Sequence, residues 1–162
     1  MIRHLTPSDL PTFKHLRMMS LRLEPENYAS THDEWAVLSD KEWAQYLVTS
    51  DVFAAFEGDE PVALAAVTPQ ARARMAHRGS IGMVFVLPER RGSRIAAEIM
   101  GVVIEHARAR GMVQVELAVH AGNARAVRFY ERLGFQRYGL LPRGFHEPGG
   151  YVDDLLMVLA LD

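Results

Sequence analysis

Asn123-Ala-Arg-Ala-Val-Arg-Phe-Tyr-Glu-Arg-Leu-Gly-Phe135 reads as a short helix with both ends written into it. Asn123 is a good N-cap. Ala126, Val127, Phe129, Tyr130 and Leu133 fall on one face at helical spacing, and Gly134 can close the helix in the left-handed conformation. Just upstream, Met112 to His120 alternates, with Val113, Val115, Leu117 and Val119 on one face and Gln114, Glu116, Ala118 and His120 on the other. That period of two is a strand. The same unit recurs one step earlier. Ile81 to Leu87 is an apolar run of strand length, and Gly92 to Arg110 carries a helical stripe of Ile95, Ile99, Val102, Val103 and Ala107, closed by Gly111.

Working outward, Val52 to Phe56 and Pro61 to Val67 are apolar runs joined by Glu57-Gly58-Asp59-Glu60, which predicts an antiparallel hairpin. Ile2 to Leu5 is a short strand. Thr6-Pro7-Ser8-Asp9 then supplies a cap, a proline at the first helical position and an acid three residues after the cap, opening a helix to about Leu23. Glu24 to Leu38 is mixed and weakly periodic. Ser39-Asp40-Lys41-Glu42 repeats the capping logic ahead of a second helix carrying Trp43, Tyr46 and Leu47. At the other end, Phe135 to Leu141 and Tyr151 to Leu161 predict two strands around a Pro- and Gly-rich loop. The order implies a mixed α/β sheet covered by helices, with ligands expected at the strand-to-helix junctions Leu87/Gly92 and His120/Asn123.

At 162 residues, with 49% apolar and 23% charged residues, the chain suits one domain with one core. A net charge of −2 gives no general attraction to nucleic acid or anionic membrane. The absence of cysteine excludes disulfides, thiolate metal sites and acyl transfer through a protein thiol. The N-terminus has no signal-peptide pattern, and no apolar run approaches the roughly 20 residues a membrane span requires. A cytoplasmic protein without membrane or nucleic-acid partners is the expectation. The seven histidines show no paired ligand spacing, so no metal is expected. Ser93 lacks the second glycine of a hydrolase elbow.

Between the strand at Ile81 and the helix after Gly92 lies Pro88-Glu89-Arg90-Arg91-Gly92-Ser93-Arg94-Ile95-Ala96. Helix-start N–H groups, a small residue and arginines suit a pyrophosphate. The segment is neither a nucleotide P-loop nor a dinucleotide fingerprint. It resembles the coenzyme A loop, Arg/Gln-x-x-Gly-x-Gly/Ala, of the GNAT superfamily of N-acetyltransferases, with Arg91 first, Ala96 last, and Arg94 where that family has glycine. Asn123 to Phe135 is similar to the same superfamily's Asn-x-x-Ala-x-x-Phe-Tyr-x-x-x-Gly-Phe segment.

The resemblance implies a mixed, mostly antiparallel, twisted sheet of about seven strands with about four flanking helices. It implies acetyl-CoA held by Val84, Phe85 and Val86 along its pantetheine arm and by Arg91, Gly92, Ser93, Arg94, Ile95 and Ala96 at its pyrophosphate. Asn123, Phe129 and Tyr130 would complete that site, and Tyr130 would be the general acid for the departing thiolate. The acceptor is an amine of open identity, flanked in this resemblance by Tyr28, His32 and Glu34 on one side and His146 and Glu147 on the other. No base stands out; Glu116 and His120 lie on the polar face of one strand. Two other readings remain open: an acyl-CoA sensor without turnover, and a dimeric interaction module that pairs through the apolar C-terminal strand.

Overall fold

The computed structural model describes residues Met1–Asp162. Seven strands form one sheet in the order β1-β2-β3-β4-β5-β7-β6. β1 (Ile2–His4), β2 (Asp51–Glu57), β3 (Glu60–Pro69) and β4 (Arg78–Val86) form an antiparallel half; β5 (Gln114–His120), β7 (Gly150–Ala160) and β6 (Gln136–Glu147) form a second. The halves meet at the one parallel pair, β4 with β5. Five helices cover the sheet: α1 (Leu10–Leu23), α2 (His32–Ala36), α3 (Asp40–Thr49), α4 (Ile95–Ala109) and α5 (Ala124–Arg132).

β3 explains the layering. Val62 to Val67 are all buried, so both faces of this central strand are covered, as its unbroken apolar run anticipates. α4 lays Ile99, Met100, Val103, Ile104 and Ala107 on the sheet. α1 contributes Phe13, Leu16 and Leu21, and its Phe13 meets Trp35 of α2 and Trp43 of α3 edge-on, with ring centroids 6.2 and 5.4 Å away. Such aromatic pairs add about 1 kcal/mol beyond the area they bury.

Local signals act where the sequence places them. The Thr6/Asp9 and Ser39/Glu42 capping boxes are formed, and Gly111 and Gly134 take φ values of 81° and 96° after α4 and α5. Four readings need correction. The mixed stretch after Glu24 contains a 3-10 turn (Pro25–Asn27) and α2, which Thr31 and Glu34 start with a third capping box. A 3-10 turn over Pro88–Arg90 delays α4 to Ile95. β5 begins at Gln114, which leaves Val113 exposed at the strand's entrance. The Pro- and Gly-rich loop is largely strand: β6 runs through Pro142 to Glu147, accommodated by a register shift between Leu141 and Phe145 and by Arg143 at φ 56°. The C-terminal strand β7 lies between β5 and β6 with both edges paired, so the open edges belong to β1 and β6.

At the β6 irregularity the two strands approach closely. A Cβ on Gly144 would stand 2.4 Å from Asp154 Cβ and 3.2 Å from its backbone nitrogen. Gly144→Ala is therefore expected to destabilise the protein by about 1–3 kcal/mol, the range for overpacking, read as a lower urea midpoint at unchanged m-value; an unchanged midpoint would show that β6 can move away freely.

Candidate active site

β4 and β5 pair over only three rungs, Arg78↔Gln114, Gly79↔Val115 and Ser80↔Glu116. Beyond Ser80 they separate. The cause lies in β4: Leu64 pairs with Phe85 and Ala66 with Gly82, so Met83 and Val84 stand opposite Ala65 alone, and Met83 takes a φ of 55°. A bulge bends and twists its strand, which carries Val84 and Val86 away from β5 while β5 stays paired to β7 as far as His120↔Asp154. The result is a cleft of about 1490 Å³ between the strands, floored by their splayed ends and closed laterally by α1, α5 and the loop before α4.

Its polar lining has two parts. The first is a ladder of backbone groups. The carbonyl of Val84 accepts from the Tyr28 hydroxyl at 2.9 Å and that of Val86 from Arg91 Nε at 3.4 Å, so both residues turn their edge to the cleft, and a strand residue's N–H shares the edge of its C=O. The second is the start of α4. Gly92 is left-handed at φ 81°. Ser93 Oγ accepts from Ile95 N and donates to Arg90 O. The first intrahelical bond is made by Glu98 N, so Ala96 and Ala97, which line the cleft, present first-turn N–H groups without helical partners. Such a cradle fits a phosphate anion, and the open strand edge fits an amide-bearing chain.

Most of the residues named from the sequence come together here. Val84, Phe85, Val86, Arg91, Gly92, Ser93, Ala96, Asn123, Phe129 and Tyr130 all line the cleft, with the Phe85 ring itself buried in the core. Arg94 and Ile95 do not line it. Arg94 is exposed at φ −76°, an ordinary helical value; the left-handed position in this loop is Gly92, so a glycine at 94 is not required by the backbone. Arg91 turns inward, onto Val86 O and the Glu24 carboxylate. Asn123 caps α5 by accepting from Ala126 N at 3.1 Å and also donates to Asn27 Oδ1 at 3.2 Å, tying α5 to the segment after α1.

Tyr130 is 9% exposed, and burial, with a smaller contribution from the Glu24 carboxylate, raises its phenol pKa above the ordinary value. The phenol is therefore protonated at neutral pH, and its hydroxyl makes no hydrogen bond to another protein group. The two bases considered from sequence are engaged. Glu116 holds Arg78 in a two-point ion pair, and His120 accepts from Gly122 N at Nδ1 while its Nε2 lies 3.3 Å from Glu147. Of the acceptor-side residues, Tyr28 and Glu147 sit at the cleft or on a residue that lines it. His32 and Glu34 sit on α2, where Glu34 is spent on the Thr31 cap, and His146 packs on Tyr151.

The structure adds Glu24 and Arg17. Glu24 follows α1, lines the cleft, and is raised by burial against an opposing effect of Arg91. Arg17 is 4% exposed. Its signal is in the spacing Phe13, Leu16, Arg17, Ser20, Leu21: a charge on the inward stripe of a helix.

Residues 15–135 match the model of the acetyltransferase (GNAT) family. The chain belongs to the GNAT family. It is 33% identical over 79 residues to an L-methionine sulfoximine/L-methionine sulfone acetyltransferase of Pseudomonas aeruginosa, which covers 49% of this chain and 46% of that protein; the match thus spans about half of that relative. A GNAT-family acetyltransferase from Streptococcus pneumoniae superposes with a TM-score of 0.86 at 22% identity, over 100% of this chain and 99% of that one. A phosphinothricin acetyltransferase from Sinorhizobium meliloti, solved with acetyl-CoA, superposes at 0.83 and 18% identity, over 99% and 88%. These likenesses show the fold.

Glu116 braces the apex of that cleft. The Arg78 hydrogen bond, ahead of the opposing effect of desolvation, holds its carboxyl below the usual carboxylate range. A depressed acid stabilises the fold above its unfolded pKa and loses that contribution as pH falls through the folded value. Glu116→Gln is expected to cost about 1 kcal/mol at pH 7 after solvent screening, and the gap from the parent should close in acid, as read by urea unfolding at both pH values.

Proposed function

We propose that the protein transfers an acetyl group from acetyl-CoA directly to an amine held in the cleft between β4 and β5. The observation that carries this reading is the buried, protonated and unengaged Tyr130 hydroxyl at the wall of a cleft whose other wall offers free backbone donors. When bound, acetyl-CoA supplies an activated thioester carbonyl and a thiolate leaving group. The chain's part is positional and acid–base. Arg91, Gly92, Ser93, Ala96 and Ala97 would hold the pyrophosphate; Val84 and Val86 would pair with the amides of the arm, as an added strand would. An N–H near the β4 bulge would stabilise negative charge on the carbonyl oxygen, since fixed donors in a site that excludes water are worth far more than the same donors in solvent. Tyr130 gives its proton to the departing sulfur.

Glu24, which pairs with Arg91 in the free cleft, would take the proton from the amine once Arg91 turns to the pyrophosphate. Its pKa is raised by burial, which brings a carboxylate nearer the operating pH of a base, and it lies close enough to Tyr130 to influence that phenol. The curated relatives named as acetyltransferases and the acetyl-CoA seen in the Sinorhizobium protein support the same chemistry.

Tyr130→Phe is expected to lower kcat by about tenfold to a thousandfold while leaving the acetyl-CoA Kd unchanged, measured by release of the CoA thiol and by calorimetry. A loss of affinity with kcat intact would instead make Tyr130 a packing residue. For Glu24, a raised carboxyl gives activity that falls as pH drops through its pKa. Glu24→Gln should remove that acid limb and lower kcat/KM by about a hundredfold at neutral pH; a retained limb would move the base elsewhere.

A further inference from the structure

Four buried side-chain nitrogen or oxygen atoms have no hydrogen-bond partner: Arg17 Nε, Arg17 Nη1, His106 Nε2 and Asp154 Oδ1. His106 Nε2 is 3.3 Å from Asp51, far from the cleft. The other two residues both line the cleft, and they carry opposite charge types.

Arg17 is the more telling of the two. Its guanidinium carbon sits 4.8 Å from the centroid of the Tyr28 ring and 4.6 Å from that of Trp35, so aromatic rings flank the group, and its Nε and Nη1 have no acceptor. No carboxylate answers it: the ionisable groups that act on it are the Tyr28 and Tyr46 hydroxyls, and Glu24 at the end of the same helix is drawn to Arg91. Burial lowers its pKa to about 10, which leaves it cationic at neutral pH. A buried cation without a partner lowers stability, and a well-packed apolar side chain would fill the same place at less cost. Planar guanidinium edges are the protein group best matched to a carboxylate, which they bind through two parallel hydrogen bonds.

Its position ties that match to the reaction. The Tyr28 ring beside Arg17 also places its hydroxyl on Val84 O, at the β4 bulge. Arg17 is thus one tyrosine ring from the strand edge where the thioester would lie. Asp154, 8% exposed and raised by burial, also lines the cleft, and its Oδ1 is buried without a partner.

Resting on the acetyl-transfer reading above, we propose that Arg17 binds a carboxylate of the acceptor, so that the substrate is a small carboxylate-bearing amine of the α-amino-acid kind. A polyamine would bring a second cation to this guanidinium, and the N-terminal amine of a protein carries an amide where the carboxylate would be.

The test compares L-amino acids with their own carboxamides as acceptors for the parent protein, read as CoA thiol released. The amide keeps the amine, removes the anion and holds more of its amine neutral, so intrinsic reactivity favours it. At least one free acid is expected to exceed its amide by about tenfold or more in kcat/KM, as for a site built around a polar group. Arg17→Lys and Arg17→Gln should shrink that ratio towards unity with acetyl-CoA Kd held within about twofold. Amides used as well as the acids, or free acids inert in a protein that binds acetyl-CoA, overturn the proposal. Absence of acetyl-CoA binding by calorimetry overturns instead the transfer reading beneath it. The acid–amide comparison needs no variant, so it decides the matter even where an Arg17 substitution prevents folding.

Discussion

The site exists because β4 and β5 stop pairing after Ser80↔Glu116. A sheet that opens in its interior exposes N–H and C=O groups that would otherwise be bonded, and such groups are costly when buried without partners. Here the bulge at Met83 opens the sheet, and a few side chains answer part of the cost. Tyr28 donates to Val84 O, Arg91 to Val86 O, and the Arg78–Glu116 pair closes the apex. Everything else in the cleft depends on that gap. α4 begins where β4 has bent away, α5 where β5 ends, and the two strand-to-helix junctions therefore face one another across it.

The elements that frame the gap were legible because their signals are local. α5 has its cap, stripe and terminal glycine within twelve residues, and α4 and the β2–β3 hairpin carry equally strong periodicity. Tyr130 and Asn123 lie inside that local pattern. α2 is not legible from periodicity, since five residues give too little of it, although its Thr31/Glu34 capping box is a full one. The far half of β6 is hard to read because Pro142 and the glycines near it look like a loop; an edge strand tolerates proline where the missing N–H would only have faced solvent. Glu24 and Arg17 were not legible as site residues, since their meaning comes from contacts made far along the chain: Glu24 with Arg91, Arg17 with Trp35. Conversely, Arg94 looked anomalous only against a pattern, and its ordinary backbone shows that the conformational demand falls on Gly92.

The bent course of β6 has a separate consequence, for how the protein behaves at high concentration. This strand is a twelve-residue free border of the sheet, with Tyr138, Leu140 and Leu141 exposed along it. A straight border of that length and composition would be a template on which strands of other molecules could zip up into aggregates. Pro142 removes one donor from the row, Arg143 turns the backbone into the left-handed region, and the register shifts at Arg137/Gly139 and Leu141/Phe145 break the row into short, misaligned pieces. The irregularity that brings Gly144 against Asp154 thus also keeps a sticky border from presenting a continuous ladder to its neighbours.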